Sequence, residues 1–395
     1  MTHTGLPAHV AASQEHWRAG RRYLNEHRYE LSRWAAENLH GDQLQIGPSG
    51  LITRREWTPA APIPLENVTL TWRDYTPAPE LDGTEPETAD VRPLRGDGQR
   101  CSTYAHALGD LARPGLFEDR PCYRLLDVAI DGDSAELTFG TGTYFDVMNV
   151  CEAAAHELAD ATCDTESGTP TLKDLPFRSL IGDPCDLIRR PILPAVSALT
   201  IRRTSSDASF VLHWRDSTKV AHGGGLYQVM PVGMFQPSAA GAWNEANDFD
   251  LWRCMAREYS EEFLGAPEHQ GHDGPLDYEA WPFYRAFTEA RDAGKVTAHW
   301  LGLGVDPLTL VTDLLIAVVF DEDTFDALLG QAVTINDEGH LVAENGANEA
   351  VAGIRLTADR ITELISSDPM QAAGGALLEL ASTQVRTLLA RPAGA

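Results

Sequence analysis

Apolar residues recur at helical spacing near the start of the chain. Trp17, Leu24, Leu31 and Trp34 stand seven, seven and three residues apart, and no proline interrupts Val10 to His40. The spacing predicts one long helix. Gly20 falls on the same face and weakens it, since glycine is a poor helix former. The stripe needs a cover, either the chain's own body or a second copy in a homodimer. Strand-like runs follow at Val68–Tyr75, Tyr123–Ile130 and Ala135–Phe139. Asp-Gly-Asp joins the last two as a hairpin. A helix is predicted from Tyr144 to Ala161. Between them, Pro77 to Asp90 is proline-rich and acidic, and reads as a solvated, mobile loop.

In the second half, strands are predicted at Ala195–Arg202, Ala208–Trp214, Leu226–Phe235, Val296–Gly304 and Leu314–Phe320. Helices are predicted at Asp248–Leu264, Thr357–Ser367 and Gly375–Leu389. Arg189-Arg190-Pro191 and Pro194 punctuate the chain near a domain boundary. The fold class is α+β. Residues 1–60 read as a helical arm, 61–190 as a small α+β domain of unknown role, and 191–395 as a mixed sheet flanked by helices.

Charge narrows the partners. The 395 residues carry 58 acids against 31 bases, for a formal net charge of -27. Such a field repels nucleic acid and anionic membranes. A helix-turn-helix needs a second helix after a tight turn, whereas Gly41 to Pro64 reads as loop and short strand. Direct nucleic-acid binding is therefore not expected. The longest apolar run, Leu314–Phe320, falls far below the ~20 residues that span a bilayer. The N-terminal residues lack the apolar stretch of a signal peptide. The six cysteines form no C-x-x-C pair, which reads as free thiols in a reducing compartment. A cytoplasmic location is expected.

The segment with the most chemistry is NDFDLWRCMAREYSEEFLGAP, from Asn247 to Pro267. Trp252, Met255, Tyr259 and Phe263 fall on one helical face. Glu258, Glu261 and Glu262 sit beside it on one ridge. Carboxylates grouped beside a buried face are costly unless something positive neutralises them. A divalent cation with hard oxygen ligands does so. On an acidic chain, the same pattern also describes a solvated helix face.

Arg257-Glu258-Tyr259-Ser260-Glu261-Glu262, with strand-like runs before it, resembles the helical part of a Nudix box. The likeness covers about 200 of the 395 residues, and the expected fold is a Nudix-like mixed sheet flanked by helices. It implies Mg²⁺ or Mn²⁺ held by Glu258, Glu261 and Glu262, which would also be the catalytic residues, with Arg257 orienting them. The implied activity is hydrolysis of a nucleoside diphosphate derivative, a small nucleotide-like ligand. The departures are specific. Gly233 lies 24 residues before Arg257 rather than 14, so the first glutamate of the box has no partner in register. Glu245, Asp248 or Asp250 are the candidates to replace it. Tyr259 stands for an aliphatic residue, and Gly265 comes one position late. The whole chain also resembles actinobacterial proteins described as XRE-type transcriptional regulators, without their helix-turn-helix. That likeness supports the alternative of a non-catalytic nucleotide- or metabolite-sensing module with a regulatory role.

Arginine is the usual partner of phosphate. Arg202, Arg203 and Arg215 are therefore candidate substrate-binding residues, with pairing to local acids as the competing reading. Gly140-Thr141-Gly142 reads as a tight turn or an anion-binding turn. His156-Glu157 with Asp160, and His269 with His272, are weak metal candidates against core and solvated histidines.

Overall fold

The computed structural model describes residues 6–115, 117–163, 170–215, 225–268, 274–330, 339–342 and 353–391. The protein is α+β. Its main sheet has the strand order Gln45–Ile46, Leu51–Ile52, Val296–Val305, Thr312–Asp321, Ala195–Arg203, Ala208–Phe210, Ile354–Arg355. Val232–Met234 also pairs with Ala195–Arg203, and Ile63–Pro64 with Val296–Val305. The sheet is mixed, because Thr312–Asp321 runs parallel to Ala195–Arg203 while the other pairs are antiparallel.

The two central strands are apolar almost throughout because both of their faces are covered. Side chains alternate between two cores with the period of a strand. Leu314, Ile316, Val318 and Phe320 face one cluster, whereas Leu315, Ala317 and Val319 face the other. The first cluster lies under the helix that starts at Leu251, and the second under Ala372–Thr383.

The N-terminal stripe divides between two helices, Ala8–Glu26 and Arg28–Asn38, which part at His27 (φ -124°, ψ 24°). Trp17 and Leu24 are fully buried in the chain's own body. This part of the stripe is thus covered by the chain's own body. Gly20 is where the first helix meets Ala153–Cys163, since a Cβ there would fall 1.7 Å from Asp160 Oδ1. The glycine that weakens the helix pattern is thus the residue that lets two helices touch.

A second sheet joins Val68–Trp72, Ser134–Thr143 and Pro121–Asp131, the last two as the expected hairpin. The acidic loop of residues 77–90 is pinned rather than mobile. Leu81 and Thr88 are buried, and the backbone N–H groups of Glu80 and Leu81 donate to the carbonyls of Ile188 and Arg189. One hydrophobic cluster runs from Trp17 through Phe139 to Leu329, so the core crosses the boundaries drawn near residues 60 and 190. Among the described residues, no helix is long and apolar enough to cross a membrane.

Candidate functional site

The ridge helix begins at Leu251. Asp250 is its N-cap, and its carboxylate accepts the N–H of Arg253 at 2.8 Å. The α-helix ends at Glu258 and continues as a π-turn over Tyr259–Phe263, a feature frequent at functional sites. Gly265, at φ 63°, supplies the left-handed stop. The apolar stripe packs on the sheet. Tyr259 lies fully buried, with its hydroxyl 2.8 Å from Thr200 Oγ1.

This packing lays the glutamates along strand Val232–Met234. Glu262 is buried, and its Oε1 accepts the N–H of Val232 at 2.9 Å. Glu258 is half-buried, and its carboxyl group rests on Gly233. A Cβ at that glycine would fall 2.0 Å from the carboxyl carbon. Only a residue without a side chain admits the carboxylate there. Glu261 is half-buried beside them. Among the described residues, no group of three or more His, Cys, Asp or Glu side chains is placed to hold a metal ion.

Arg257 reaches groups that flank the ridge, and Glu258 is also among the charges that raise its pKa. It is buried and donates to Tyr278 Oη at 2.5 Å and to the Gln236 carbonyl at 2.7 Å, with Asp248 at 3.7 Å. Tyr278 in turn donates to Asp248 Oδ1 at 2.8 Å. Burial alone would lower the pKa of this guanidinium, but the Cys254 thiol, the Tyr278 hydroxyl and the Asp248 carboxylate raise it overall. The network ties the ridge helix to the loop before it and to the segment after it. Asp248 also accepts the Ser238 N–H at 2.7 Å. Both Asp248 and Asp250 are thus committed to the backbone around the helix. Sequence reasoning missed this network because Tyr278 is remote in sequence, and its signal was the buried-type acid Asp248 just ahead of the helix.

The arginine candidates separate. Arg202 is held by Asp326 at 3.0 Å and Glu322 at 2.8 Å. Arg203 lies on the opposite face, held by Asp321 at 2.7 Å and by the carbonyls of Leu389 and Ala390. Pairing with local acids, the competing reading, describes both as they stand. Arg215 closes strand Leu212–Arg215, and its side chain lies outside the described residues, as do His269 and His272.

Gly140-Thr141-Gly142 is strand, not turn, and the Thr141 N–H already donates to Thr76 Oγ1. His156 is a fully buried core residue with Nδ1 3.0 Å from Tyr104 Oη. Glu157 caps the backbone N–H groups of Phe177 and Arg178. A cleft of about 1060 Å³ lies away from the glutamates of the ridge. It opens at the N-terminal end of the same helix, beside Asp250, Leu251 and Trp252. No protein-family model matches the chain, and a search of curated proteins finds no significant match.

Proposed function

We propose that the ridge is a divalent-metal site of a hydrolase acting on a nucleoside diphosphate derivative. The observation that carries this is the seat of Glu258 on Gly233, a cradle that any Cβ would fill. A carboxylate laid on bare backbone beside a second one, Glu262, concentrates hard oxygen donors at the end of one short strand. Three protein ligands are not required. Mg²⁺ keeps several waters and is commonly bound through one or two carboxylates together with substrate phosphates. Glu258 and Glu262 would hold it, with Glu261 beside them. A cation bound there neutralises a diphosphate and lowers the pKa of a bound water.

The chain's own residues supply the rest. The Val232 N–H orients Glu262, Gly233 leaves room for Glu258, and the Arg257–Tyr278–Asp248 network fixes the helix against its flanking loop. Positioning of this kind accounts for much of catalysis at phosphorus. The test is turnover of ADP-ribose with and without Mg²⁺, wild type beside Glu258→Gln. Mg²⁺-dependent release of AMP that drops at least ~100-fold in the variant, a loss of the size seen when one electrostatic group of an active site is removed, supports the reading. Equal turnover in both proteins overturns it.

A second reading is favoured by the missing first glutamate of the box, since Asp248 and Asp250, two candidates to replace it, are committed to backbone N–H groups. On that reading the module binds a nucleotide or metabolite and signals without turnover. Saturable calorimetric binding of ADP-ribose with no product at any metal concentration would select it.

A further inference from the structure

Helix Tyr104–Leu111 is already capped. Thr103 Oγ1 accepts the N–H of His106 at 3.1 Å, and Asn149 Oδ1 accepts that of Ala105 at 2.9 Å. The hydroxyl of Ser102 is therefore not needed to start the helix. It lies 3.0 Å from His106 Nδ1 instead. The other nitrogen of that ring, Nε2, lies 3.4 Å from Asp110 Oδ2. Ser102, His106 and Asp110 stand four and four residues apart, so one face lines them up in the order hydroxyl, imidazole, carboxylate.

This order is that of an activated nucleophile, its base and the group that orients the base. A carboxylate at Nε2 holds the ring proton on that nitrogen and leaves Nδ1 as the acceptor that a serine O–H needs. Such a chain is recognised by geometry and roles, not by sequence position. Its frame is fixed. Tyr104, Ala105, Ala107 and Leu108 seat the opposite face of the helix in the core. The Ser102 carbonyl accepts from Arg92 Nη1 at 2.9 Å, and Arg92 Nη2 donates to the carbonyls of Thr84 and Glu85. The Cys101 N–H donates to the Pro93 carbonyl at 2.9 Å, so the backbone is tied down on both sides of the serine.

We propose that Ser102 is a nucleophile for acyl transfer, with His106 as its general base and Asp110 as the positioning residue. The Ser102 O–H proton passes to His106 Nδ1 as Oγ bonds to the carbonyl carbon of the acyl donor. The bond from that carbon to the leaving group breaks, and the leaving group departs with the electron pair and takes up the proton. Water then gives a proton to the same nitrogen and its oxygen adds to the acyl carbon. The bond to Oγ breaks, Oγ recovers the proton, and the acyl group leaves as a carboxylic acid. Ser102 and Asp110 are exposed, so the site is open and offers no deep seat for a long acyl chain. The class that suits it is a small acyl group on a good leaving group, such as an aryl ester or a thioester. The proposal does not rest on the hydrolase reading.

The test is the reaction of the full chain with p-nitrophenyl acetate, with a chelator present so that the ridge holds no metal. Nitrophenolate release is timed, and the acetylated residue is located by peptide mass spectrometry. Acetylation is expected at Ser102. Release should fall about 100-fold in Ser102→Ala and in His106→Ala, the size of a positioned general base. Asp110→Asn should slow acylation, and Asp110→Glu should restore it, which loss of a merely structural carboxylate would not predict. All these side chains lie on the outer face of the helix, and thermal melting checks each variant. Acetyl groups spread over lysines at the rate of the urea-unfolded chain, or unchanged release in Ser102→Ala or His106→Ala, would overturn the proposal. Neither result bears on the ADP-ribose test, which reads Mg²⁺-dependent release of AMP.

Discussion

Gly233 decides whether the ridge can work. Its φ is not in the left-handed region, so an alanine is tolerated by the backbone. What alanine cannot avoid is Glu258, whose carboxyl carbon would lie 2.0 Å from the new methyl group. The carboxylate is the movable end of a half-buried side chain, so it swings off its seat while the strand stays paired with Val196. Gly233→Ala is therefore expected to melt close to wild type and to lose at least tenfold in Mg²⁺-dependent turnover of ADP-ribose. Unchanged turnover with an unchanged fold would show that the position of Glu258 is irrelevant. The three glutamates were legible in the sequence, because their spacing on a helix is local information. Their seat was not, because strand pairing brings Gly233 beneath a residue 25 positions later (258 minus 233).

Elements reveal a second dependence on a buried carboxylate. Helices Ala8–Glu26 and Arg28–Asn38 reach the body of the protein through Arg21 and Arg28, which converge on Glu152 in the π-turn Met148–Glu152. Arg28 Nη2 lies 3.0 Å from Glu152 Oε2, and all three side chains are almost fully buried. Removing one partner of a buried ion network leaves uncompensated charge and costs on the order of 3–5 kcal/mol. Glu152→Gln is expected to destabilise by that amount in urea unfolding, with the N-terminal helices loosening first in hydrogen exchange. A change below ~1 kcal/mol would mean that the helices are held by Trp17 and Leu24 alone. This clamp also explains why one helix was expected where two exist. The seven-residue spacing continues across His27, so periodicity cannot register a bend set by where Arg28 finds its partner. Long central strands were read nearly to their ends, because doubly buried strands have strong continuous signals. The two-residue strands Gln45–Ile46, Leu51–Ile52 and Ile63–Pro64 carry too few apolar positions to be seen, yet they stitch the N-terminal segment into the main sheet.

For the whole molecule, buried titratable groups from several parts of the chain tie stability to pH. Burial raises Asp313 from its usual 3.8 to about 7, with Ser197 donating a 2.7 Å hydrogen bond that opposes the shift. Burial also raises Glu157 from 4.5 to about 7, against the two backbone N–H groups it caps. His40 moves the other way, from 6.5 down to about 4, again through burial. A carboxyl with a raised folded pKa keeps its proton in the native state after the unfolded chain has lost it. Its contribution is complete below the unfolded pKa and is lost as pH rises through about 7. His40 acts in the opposite sense, since the unfolded chain takes up its proton first as pH falls below 6.5. Two carboxyls outweigh one imidazole, and a chain at -27 repels itself less as acids protonate. The melting temperature is thus expected to be higher near pH 6 than at pH 8. Asp313→Asn isolates one group, because asparagine keeps the oxygen that accepts from Ser197 and cannot ionise. Its stability relative to wild type should grow from pH 4 to pH 8 by up to about 4 kcal/mol, the value of a three-unit shift. Parallel pH profiles for the two proteins would mean that Asp313 is already ionised in the fold, and the neutral-pH loss of stability would then fall to Glu157.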